Sequence, residues 1–301
     1  MNRPRTVRSA ALMGTIVTIE VVAPDADEAI TRAFNWFRHI EQCCSRFEPD
    51  SELRRLARCG RGVPFHATPV LFQAVQFALA VAEETGGAFD PTVGQTMETR
   101  GFDREYSTGQ ANPSGIAAAA GVSFRDVRLD AAAQTITLEQ PLLLDLGAVA
   151  KGMAADAAAR ELSAFRDFAI DAGGDLFLGG QNSEGLSWAI GIPHPRQPGK
   201  LVDTVRVSDR AICTSGDYER RAPNEDDGHH ILDPRTRRSA DASSSATVIA
   251  PTAMLADALA TAAFVLGPAD GINLLERMGV DGVIYTPALD RRATKGFRSA
   301  S

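Results

Sequence analysis

The sequence of 301 residues has few cysteines, no dense run of basic residues and no long apolar run. Its four cysteines, Cys43, Cys44, Cys59 and Cys213, are too few and too irregular for a disulfide framework or a zinc site. The 31 Lys and Arg residues face 38 Asp and Glu residues, and the net charge of -7 without a basic stripe excludes a general nucleic-acid binder. No apolar run approaches the roughly 18 residues that a membrane span requires. These absences predict an acidic, soluble, folded protein.

The first residues resemble a secretory signal only superficially. Arg3, Arg5 and Arg8 precede an apolar stretch, as the basic residues of a signal peptide do. However, residues 16–21 alternate like a strand, include Glu20, and are not followed by a small-residue cleavage site. We therefore expect a cytoplasmic location.

Strands and helices alternate along the chain, but not at the steady spacing of a βαβ repeat. This irregular order favours an α+β fold, with mixed sheets and flanking helices, over a doubly wound sheet. A first strand is predicted at 16–22. The predicted helices cover 25–43, 67–86, 150–164, 252–266 and 268–278. We expect one domain over residues 1–290, followed by a frayed basic tail at 291–301.

Common nucleotide-binding motifs are missing. The sequence contains no G-x-x-x-x-G-K-[ST] loop and no G-x-G-x-x-G after a predicted strand, which disfavours the usual nucleotide folds. The triplet Gly173-Gly174-Asp175 is short, and a tight turn explains it best.

The segment from Leu144 to Gly152 has the pattern of an anion site. A leucine-rich strand ends at Asp145, and a helix is predicted to begin near Ala150. Backbone N–H groups at a helix start favour an anion, and Lys151 adds a positive charge at the same place. The alternative, of equal weight on spacing alone, is that Asp145 caps the helix and Lys151 is merely solvated.

The predicted helix at 252–266 is apolar on almost every side but contains Asp257 and Thr261. Residues four apart lie on one face of a helix, so both side-chain oxygens are expected there together. Oxygen ligands alone point to a hard cation such as Mg²⁺. The alternative is that Asp257 pairs with an arginine and that Thr261 bonds back to its own helix.

Two further polar segments are candidates for ligand contacts. Residues 86–94 follow a predicted helix. One interpretation is that they bring Phe89 and Asp90 against a ligand; the other is that they form only the end of the helix and a turn. The pair His229-His230 beside acidic residues suits a metal site or a general base, although isolated surface histidines are commoner.

Taken in order, these segments resemble the FAD:protein FMN transferase family, also called the ApbE family. No single segment is specific, but together they run from residue 13 to residue 267, nearly the whole chain. The matching stretches are 13–15, 45–47 with 51–53, 87–92, 145–156, 173–175, 214–218, 230–234 and 256–261.

The resemblance implies an enzyme that cleaves FAD at its pyrophosphate, attaches FMN to a threonine or serine of a target flavoprotein, and releases AMP. It implies that the side chains of Asp257 and Thr261 and the carbonyl of Ala148 bind Mg²⁺, and that His230 is a base. Lys151 and the nearby helix start are expected to hold the phosphates. The residues that match FAD-contacting positions are Met13, Phe47, Ala88, Phe89, Asp90, Asp145, Lys151 and Ile231.

These residues are spread over most of the chain, so we expect one catalytic unit of two lobes with FAD between them. Rival functions are an FAD hydrolase giving FMN and AMP, and a non-catalytic FAD-binding protein. The sequence departs from the family at Arg237-Arg238-Ser239, where a glycine and a proline are usual, and at Asp171, where asparagine is common. The first departure puts the shape of that loop and the recognition of the target protein in question.

Overall fold

A computed structural model describes residues 3–104, 109–117, 119–222 and 228–300 of the chain. The chain divides into two compact units. Unit 1 contains Met1–Arg38, Lys151–Glu219 and Asp241–Ser301, and unit 2 contains His39–Ala150 and Arg220–Ala240. Both strands and helices are mixed along the chain, which confirms the α+β prediction. The expectation of a single catalytic unit stays a prediction.

The secondary structure comprises fifteen strands and six α-helices in the described part of the chain. The strands are β1 Thr6–Leu12, β2 Thr15–Val21, β3 Phe65–His66, β4 Val127–Asp130, β5 Thr135–Leu138, β6 Phe168–Ala172, β7 Leu176–Gly179, β8 Trp188–Pro193, β9 Leu201–Val207, β10 Arg210–Gly216, β11 Leu232–Asp233, β12 Arg238–Ser239, β13 Ser245–Ala250, β14 Asp281–Tyr285 and β15 Arg291–Ala293. The helices are α1 Asp27–Cys44, α2 Glu52–Arg58, α3 Pro69–Glu84, α4 Gly94–Thr99, α5 Gly147–Glu161 and α6 Ala253–Arg277.

Unit 1 is built on an eight-stranded sheet with the order β1-β2-β6-β7-β10-β13-β14-β15. Every neighbouring pair in it is antiparallel. Helix α6 packs on β10, β13 and β14, and its small alanines allow the close approach of helix and sheet. Strands β8 and β9 form a separate antiparallel ribbon.

Helix α6 joins the two helices predicted at 252–266 and 268–278. Gly267 has a φ of 78°, outside helical geometry, and Pro268 has no N–H to continue the hydrogen-bond ladder, so the helix is kinked there. By length and composition alone α6 could cross a membrane, but 61% of its apolar window is buried inside the protein. That burial is typical of a core helix.

Unit 2 contains the three-stranded sheet β3-β5-β4 and the short ribbon β11-β12. Thr68 caps α3 by accepting a hydrogen bond from Leu71 N, and Pro69 occupies the first turn of this helix, which was predicted over 67–86. The carboxylate of Glu52 accepts hydrogen bonds from Thr68 N and Thr68 Oγ1, at 2.7 and 2.5 Å. This contact ties the start of α3 to the start of α2.

The prediction of a frayed tail from residue 291 is wrong for most of that segment. Strand β15 pairs with β14, and the Phe297 side chain is only 5% exposed. The Arg291 guanidinium lies 5.4 Å from the centre of the Phe297 ring, and Ala300 N donates to Thr204 O at 2.6 Å. The basic residues suggested a solvated tail, but one buried aromatic side chain anchors it.

Candidate active site

Two buried carboxylates share one ammonium group in unit 1. Lys151 Nζ lies 2.8 Å from Asp175 Oδ2 and 3.4 Å from Asp257 Oδ2. Asp175 and Asp257 are each 5% exposed. We call these three residues the aspartate–lysine cluster. The structure thus places Lys151 and Asp257, both predicted from the sequence, in direct contact.

The helices that carry this cluster are held together at the start of α6. Asp156 on α5 accepts hydrogen bonds from Ala253 N and Met254 N, at 2.7 and 3.0 Å. A Cβ atom at Gly152 would lie 2.5 Å from Met254 Cα, so only glycine permits this approach. Asp156 therefore acts as a cap from another helix, a role that sequence reasoning missed.

The electrostatics of the cluster favour an additional cation. Burial, followed by repulsion from Asp175, raises the pKa of Asp257 to about 7, although the Lys151 ammonium lowers it. Two carboxylates against one ammonium leave excess negative charge in a place shielded from water. The alternative that Asp257 pairs with an arginine is not what the structure shows, because its partner is Lys151.

Hydroxyl groups lie beside the cluster in the same unit. Thr261 stands one helical turn after Asp257, and its Oγ1 is 3.1 Å from Ser215 Oγ on β10. On the neighbouring strands, Thr214 Oγ1 and Thr247 Oγ1 are 2.9 Å apart. The Thr261 hydroxyl therefore contacts the sheet at Ser215.

The donor chemistry fits Mg²⁺. Asp257 and Thr261 offer oxygen only, and the part of the chain that the structure describes has no group of three or more His, Cys, Asp or Glu side chains arranged for a metal. Mg²⁺ typically takes one or two carboxylates and fills its other positions with water and substrate phosphates. Ala148, the predicted carbonyl ligand, belongs to unit 2, and its φ of -90° and ψ of 18° leave it outside helical geometry in the first turn of α5.

In unit 2, the Asp145 carboxylate accepts hydrogen bonds from an arginine side chain and from the backbone. Arg46 Nε donates to Asp145 Oδ2 at 2.6 Å, and Gly147 N donates to Asp145 Oδ1 at 2.7 Å. Burial alone would raise the pKa of Asp145, but the Arg46 guanidinium and the Gly147 N–H outweigh it and hold the pKa below its usual range. Asp145 binds the backbone at the start of α5, as the capping alternative predicted. Its partner Arg46 was missed.

The predicted segment Ala88-Phe89-Asp90 is buried in unit 2. Asp90 Oδ1 accepts hydrogen bonds from Thr92 N and Thr92 Oγ1, and Asp90 Oδ2 accepts from Phe124 N at 3.1 Å. Phe89 is only 5% exposed and Ala88 3%. Both carboxylate oxygens of Asp90 thus accept hydrogen bonds from groups within the protein. The Asp90 side chain therefore stabilises the turn that follows it.

Met13 and Phe47 are both half-buried, but they lie in different units. Met13 and Gly14 have φ angles of 52° and 71° and form the two-residue turn between β1 and β2. The Phe47 ring lies under the Arg46 guanidinium, 4.1 Å from its Cζ. Arg46 therefore touches two residues that the sequence singled out, Asp145 and Phe47.

The two neighbouring histidines of unit 2 have different environments. His229 is buried, its Nε2 is 2.8 Å from Ala240 O, and its Nδ1 accepts from Ile231 N at 3.2 Å. His230 is half-buried and its Nδ1 is 3.3 Å from Arg220 O. Since a carbonyl only accepts, Nδ1 carries the hydrogen in that contact, and the basic lone pair of the neutral ring is on Nε2.

Residues around His230 hold its ring and backbone. The Phe102 ring meets the His230 ring edge to face, with centroids 6.4 Å apart. His230 N donates to Arg220 O at 3.1 Å, and Ala240 N donates to Ile231 O at 3.0 Å. The Ile231 side chain is 4% exposed, so this predicted ligand residue packs mainly into its own unit.

Asp175 is the main site residue that sequence reasoning missed. It follows Gly173 and Gly174, whose φ angles of 70° and 95° form the predicted tight turn. Asp171 accepts from Gly174 N at 2.8 Å, and burial followed by repulsion from Asp175 raises the pKa of Asp171. An acid directly after two glycines was the available signal, but its lysine partner is far away in the sequence.

Comparisons with known proteins agree with this picture. The family model described as the ApbE family matches residues 13–284. The FAD:protein FMN transferase of Treponema pallidum is 34% identical, over 96% of this chain and 87% of that protein. The FAD:protein FMN transferase of Escherichia coli K12 is 32% identical, over 80% of this chain and 71% of that protein.

Solved structures show the same fold. The ApbE protein of Thermotoga maritima superposes with a TM-score of 0.85 at 27% identity, covering 97% of each chain. The flavin transferase ApbE of Vibrio cholerae gives a TM-score of 0.84 at 25% identity, covering 98% of each chain. With a family match over most of its length and relatives above 30% identity, this chain belongs to the ApbE family.

Proposed function

We propose that this chain is an FAD:protein FMN transferase, which cleaves FAD and attaches FMN to a threonine or serine hydroxyl of an acceptor flavoprotein. The observation that carries the proposal is the aspartate–lysine cluster beside Thr261, in a chain 34% identical to a protein of that name. Transfer of a phosphoryl group requires stabilised negative charge and a proton acceptor, and little other chemistry from the protein.

Asp257 and Thr261, with the carbonyl of Ala148, are the residues we assign to Mg²⁺. When bound, Mg²⁺ would supply positive charge to the diphosphate oxygens as charge develops on the leaving group. The charge excess at Asp257 and the oxygen-only donors support this assignment. Lys151 contributes a point charge suited to a phosphate oxygen, and Asp175 and Asp257 keep that side chain in place.

His230 is assigned as the general base, because its Nε2 is the nitrogen left with a lone pair. In the transfer, the acceptor oxygen forms a bond to the FMN phosphorus and the bond between that phosphorus and the bridging oxygen breaks. The hydroxyl proton goes to His230, and AMP leaves with the bridging oxygen. Asp145, held by Arg46, and the half-buried Met13 and Phe47 are assigned to FAD.

The remaining FAD contacts follow from the family resemblance and from the packing of their segments. Ala88, Phe89, Asp90 and Ile231 lie in buried segments. We assign them positioning contacts, because their side chains are largely occupied within unit 2.

The test is incubation of the full chain with FAD, Mg²⁺ and candidate acceptor proteins. AMP is measured by chromatography, and the acceptor is examined by in-gel flavin fluorescence and by mass spectrometry for an added FMN. We expect AMP and labelled acceptor in equal amounts, both dependent on Mg²⁺. AMP without labelled protein would instead indicate an FAD hydrolase, and stoichiometric FAD binding without AMP would indicate a carrier.

A further inference from the structure

Arg46 and Phe47 lie in unit 2 on the short connection between α1 and α2, outside any helix or strand. The backbone of such a connection has no hydrogen-bond ladder, so other groups must bind its carbonyls where they are buried. Arg54 Nη1 donates to Arg46 O at 2.8 Å, and Asn112 Nδ2 donates to Phe47 O at 2.5 Å. Two side chains therefore hold the two successive carbonyls of this pair. We call Arg54 and Asn112 the carbonyl clamp.

Arg54 also joins this connection to a second segment of unit 2. Its Nη1 donates to Asn112 O at 3.2 Å, and its Nη2 donates to Pro113 O at 3.0 Å. These two carbonyls are 58 and 59 positions away from Arg54 in the sequence. The planar guanidinium carries several donors in a fixed arrangement, so one side chain can bind three carbonyls at once.

Glu98 lies next to Arg54 and binds the same second segment. Glu98 Oε1 is 3.7 Å from Arg54 Nη1, and the Glu98 carboxylate accepts hydrogen bonds from Ser114 N and Ser114 Oγ at 3.0 and 2.6 Å. The Arg54 side chain is only 3% exposed, and burial lowers the pKa of Arg54 despite the Glu98 carboxylate. Keeping a charge in the interior is costly, and an apolar residue would often serve stability as well. This cost favours a role for Arg54 in fixing a conformation.

We propose that Arg54 is a positioning residue for FAD binding, which acts through Arg46 and Phe47. This inference rests on the proposed function, in which Phe47 and Asp145 contact FAD. Arg46 links these residues, because its Nε donates to Asp145 Oδ2 at 2.6 Å and its guanidinium lies 4.1 Å from the centre of the Phe47 ring. A shift of the 46–47 backbone would therefore move the Phe47 ring and the partner of Asp145 together. By holding that backbone, Arg54 keeps both FAD contacts in place without touching FAD.

The test measures the affinity of the full chain for FAD by flavin fluorescence anisotropy, in Mg²⁺ and without an acceptor protein. AMP is measured at the end of each titration, so that only intact FAD is counted. We expect R54K to weaken FAD binding about tenfold, because lysine keeps the charge beside Glu98 but cannot bind three carbonyls as a planar guanidinium does. The matched control is R55K, the same exchange at an exposed position on α2, which should bind FAD as the unmodified chain does.

A double-mutant cycle with Phe47 separates positioning from folding. We expect F47A alone to weaken FAD binding about tenfold, and F47A/R54K to weaken it by clearly less than the roughly hundredfold that two independent effects would give. A role confined to stability predicts instead a lower thermal midpoint with an unchanged FAD affinity well below that midpoint. N112A removes the other donor of the carbonyl clamp from a half-buried side chain, and it should weaken FAD binding about threefold.

Equal FAD affinity of R54K and the unmodified chain would overturn the inference, and so would losses that multiply fully in F47A/R54K. If R54K does not fold, an unchanged FAD affinity in N112A has the same meaning. An unmodified chain that does not bind FAD would refute the proposed function itself. FAD binding that R54K leaves unaffected would refute only the positioning role of Arg54.

Discussion

Two aspartates, one in each unit, show how differently the same residue type is used: Asp145 is half-buried and Asp257 is buried. Asp145 in unit 2 is bound by the Arg46 guanidinium and by Gly147 N, and its pKa is held below its usual range. Asp257 in unit 1 shares the Lys151 ammonium with Asp175. Burial, together with repulsion from the Asp175 carboxylate, raises the pKa of Asp257 to about 7. The first carboxylate is satisfied within the protein, whereas the second retains a negative charge that a cation would stabilise.

The difference shows that burial alone does not identify a metal ligand. Both aspartates follow apolar sequence, and both were predicted to touch a ligand. What separates them is the number of positive charges within reach: two guanidinium groups, Arg46 and Arg220, act on one carboxylate at Asp145, whereas one ammonium group serves two carboxylates at Asp257. Local charge balance is therefore the criterion for ranking candidate ligands.

The largest effect that tests the difference between the two aspartates is expected at Asp257. We expect Asp257→Asn to lower Mg²⁺-dependent AMP release by about 10³-fold, because it removes the carboxylate on which the ion depends. AMP release is measured over a series of Mg²⁺ concentrations. The matched control is Asp270→Asn, an exposed aspartate on the same helix, which should leave turnover unchanged. Full activity of Asp257→Asn would remove Asp257 from the metal site.

At Asp145 the expected effect is on stability. Asp145→Asn leaves the guanidinium of Arg46, whose side chain is 6% exposed, without its carboxylate, so the free energy of unfolding should fall by about 3 kcal/mol. Urea unfolding measures this change. An unchanged midpoint would mean that the pair is not a stabilising element, and the contrast with Asp257 would then be lost.

The two histidines offer the same contrast in smaller form. His230→Ala should lower kcat by about 10²-fold while the affinity for FAD stays within a factor of two, because a base acts on the proton and not on flavin binding. His229→Ala should instead reduce stability by about 1–3 kcal/mol, since it leaves Ala240 O and Ile231 N without their ring partner. A loss confined to FAD binding in His230→Ala would argue against the base.

The smallest effect concerns the pH dependence of stability without metal. A raised pKa in the folded state means that Asp257 contributes stability below about pH 4, which is lost as the pH rises through about 7. The difference in free energy of unfolding between Asp257→Asn and the unmodified chain should therefore shift with pH. Between about pH 5 and about pH 8 it should move in favour of the variant by about 1–2 kcal/mol. Asp145, with its lowered pKa, has the opposite sign and loses its contribution in acid. Urea unfolding in chelator at both pH values checks the sign.

Much of the local structure was predictable. Helical spacing located α1 and α3, and Asp257 and Thr261 share one face of α6 as the four-residue spacing requires. The resemblance of the ordered segments also identified the family. The tail at 291–298 was misjudged, because its charges were visible in the sequence and the burial of Phe297 was not.

The sequence by itself therefore determined the main helices and the residue types available for phosphoryl transfer, because helical spacing depends on neighbours within a few positions. Only the tertiary structure decided which charge meets which. Arg46 and Asp145 are 99 positions apart, and Lys151 and Asp257 are 106 positions apart. Tertiary packing brings together partners that are far apart in the sequence, and the pattern of nearby residues does not identify them. That choice made Asp145 a satisfied structural carboxylate and left Asp257 in need of a cation.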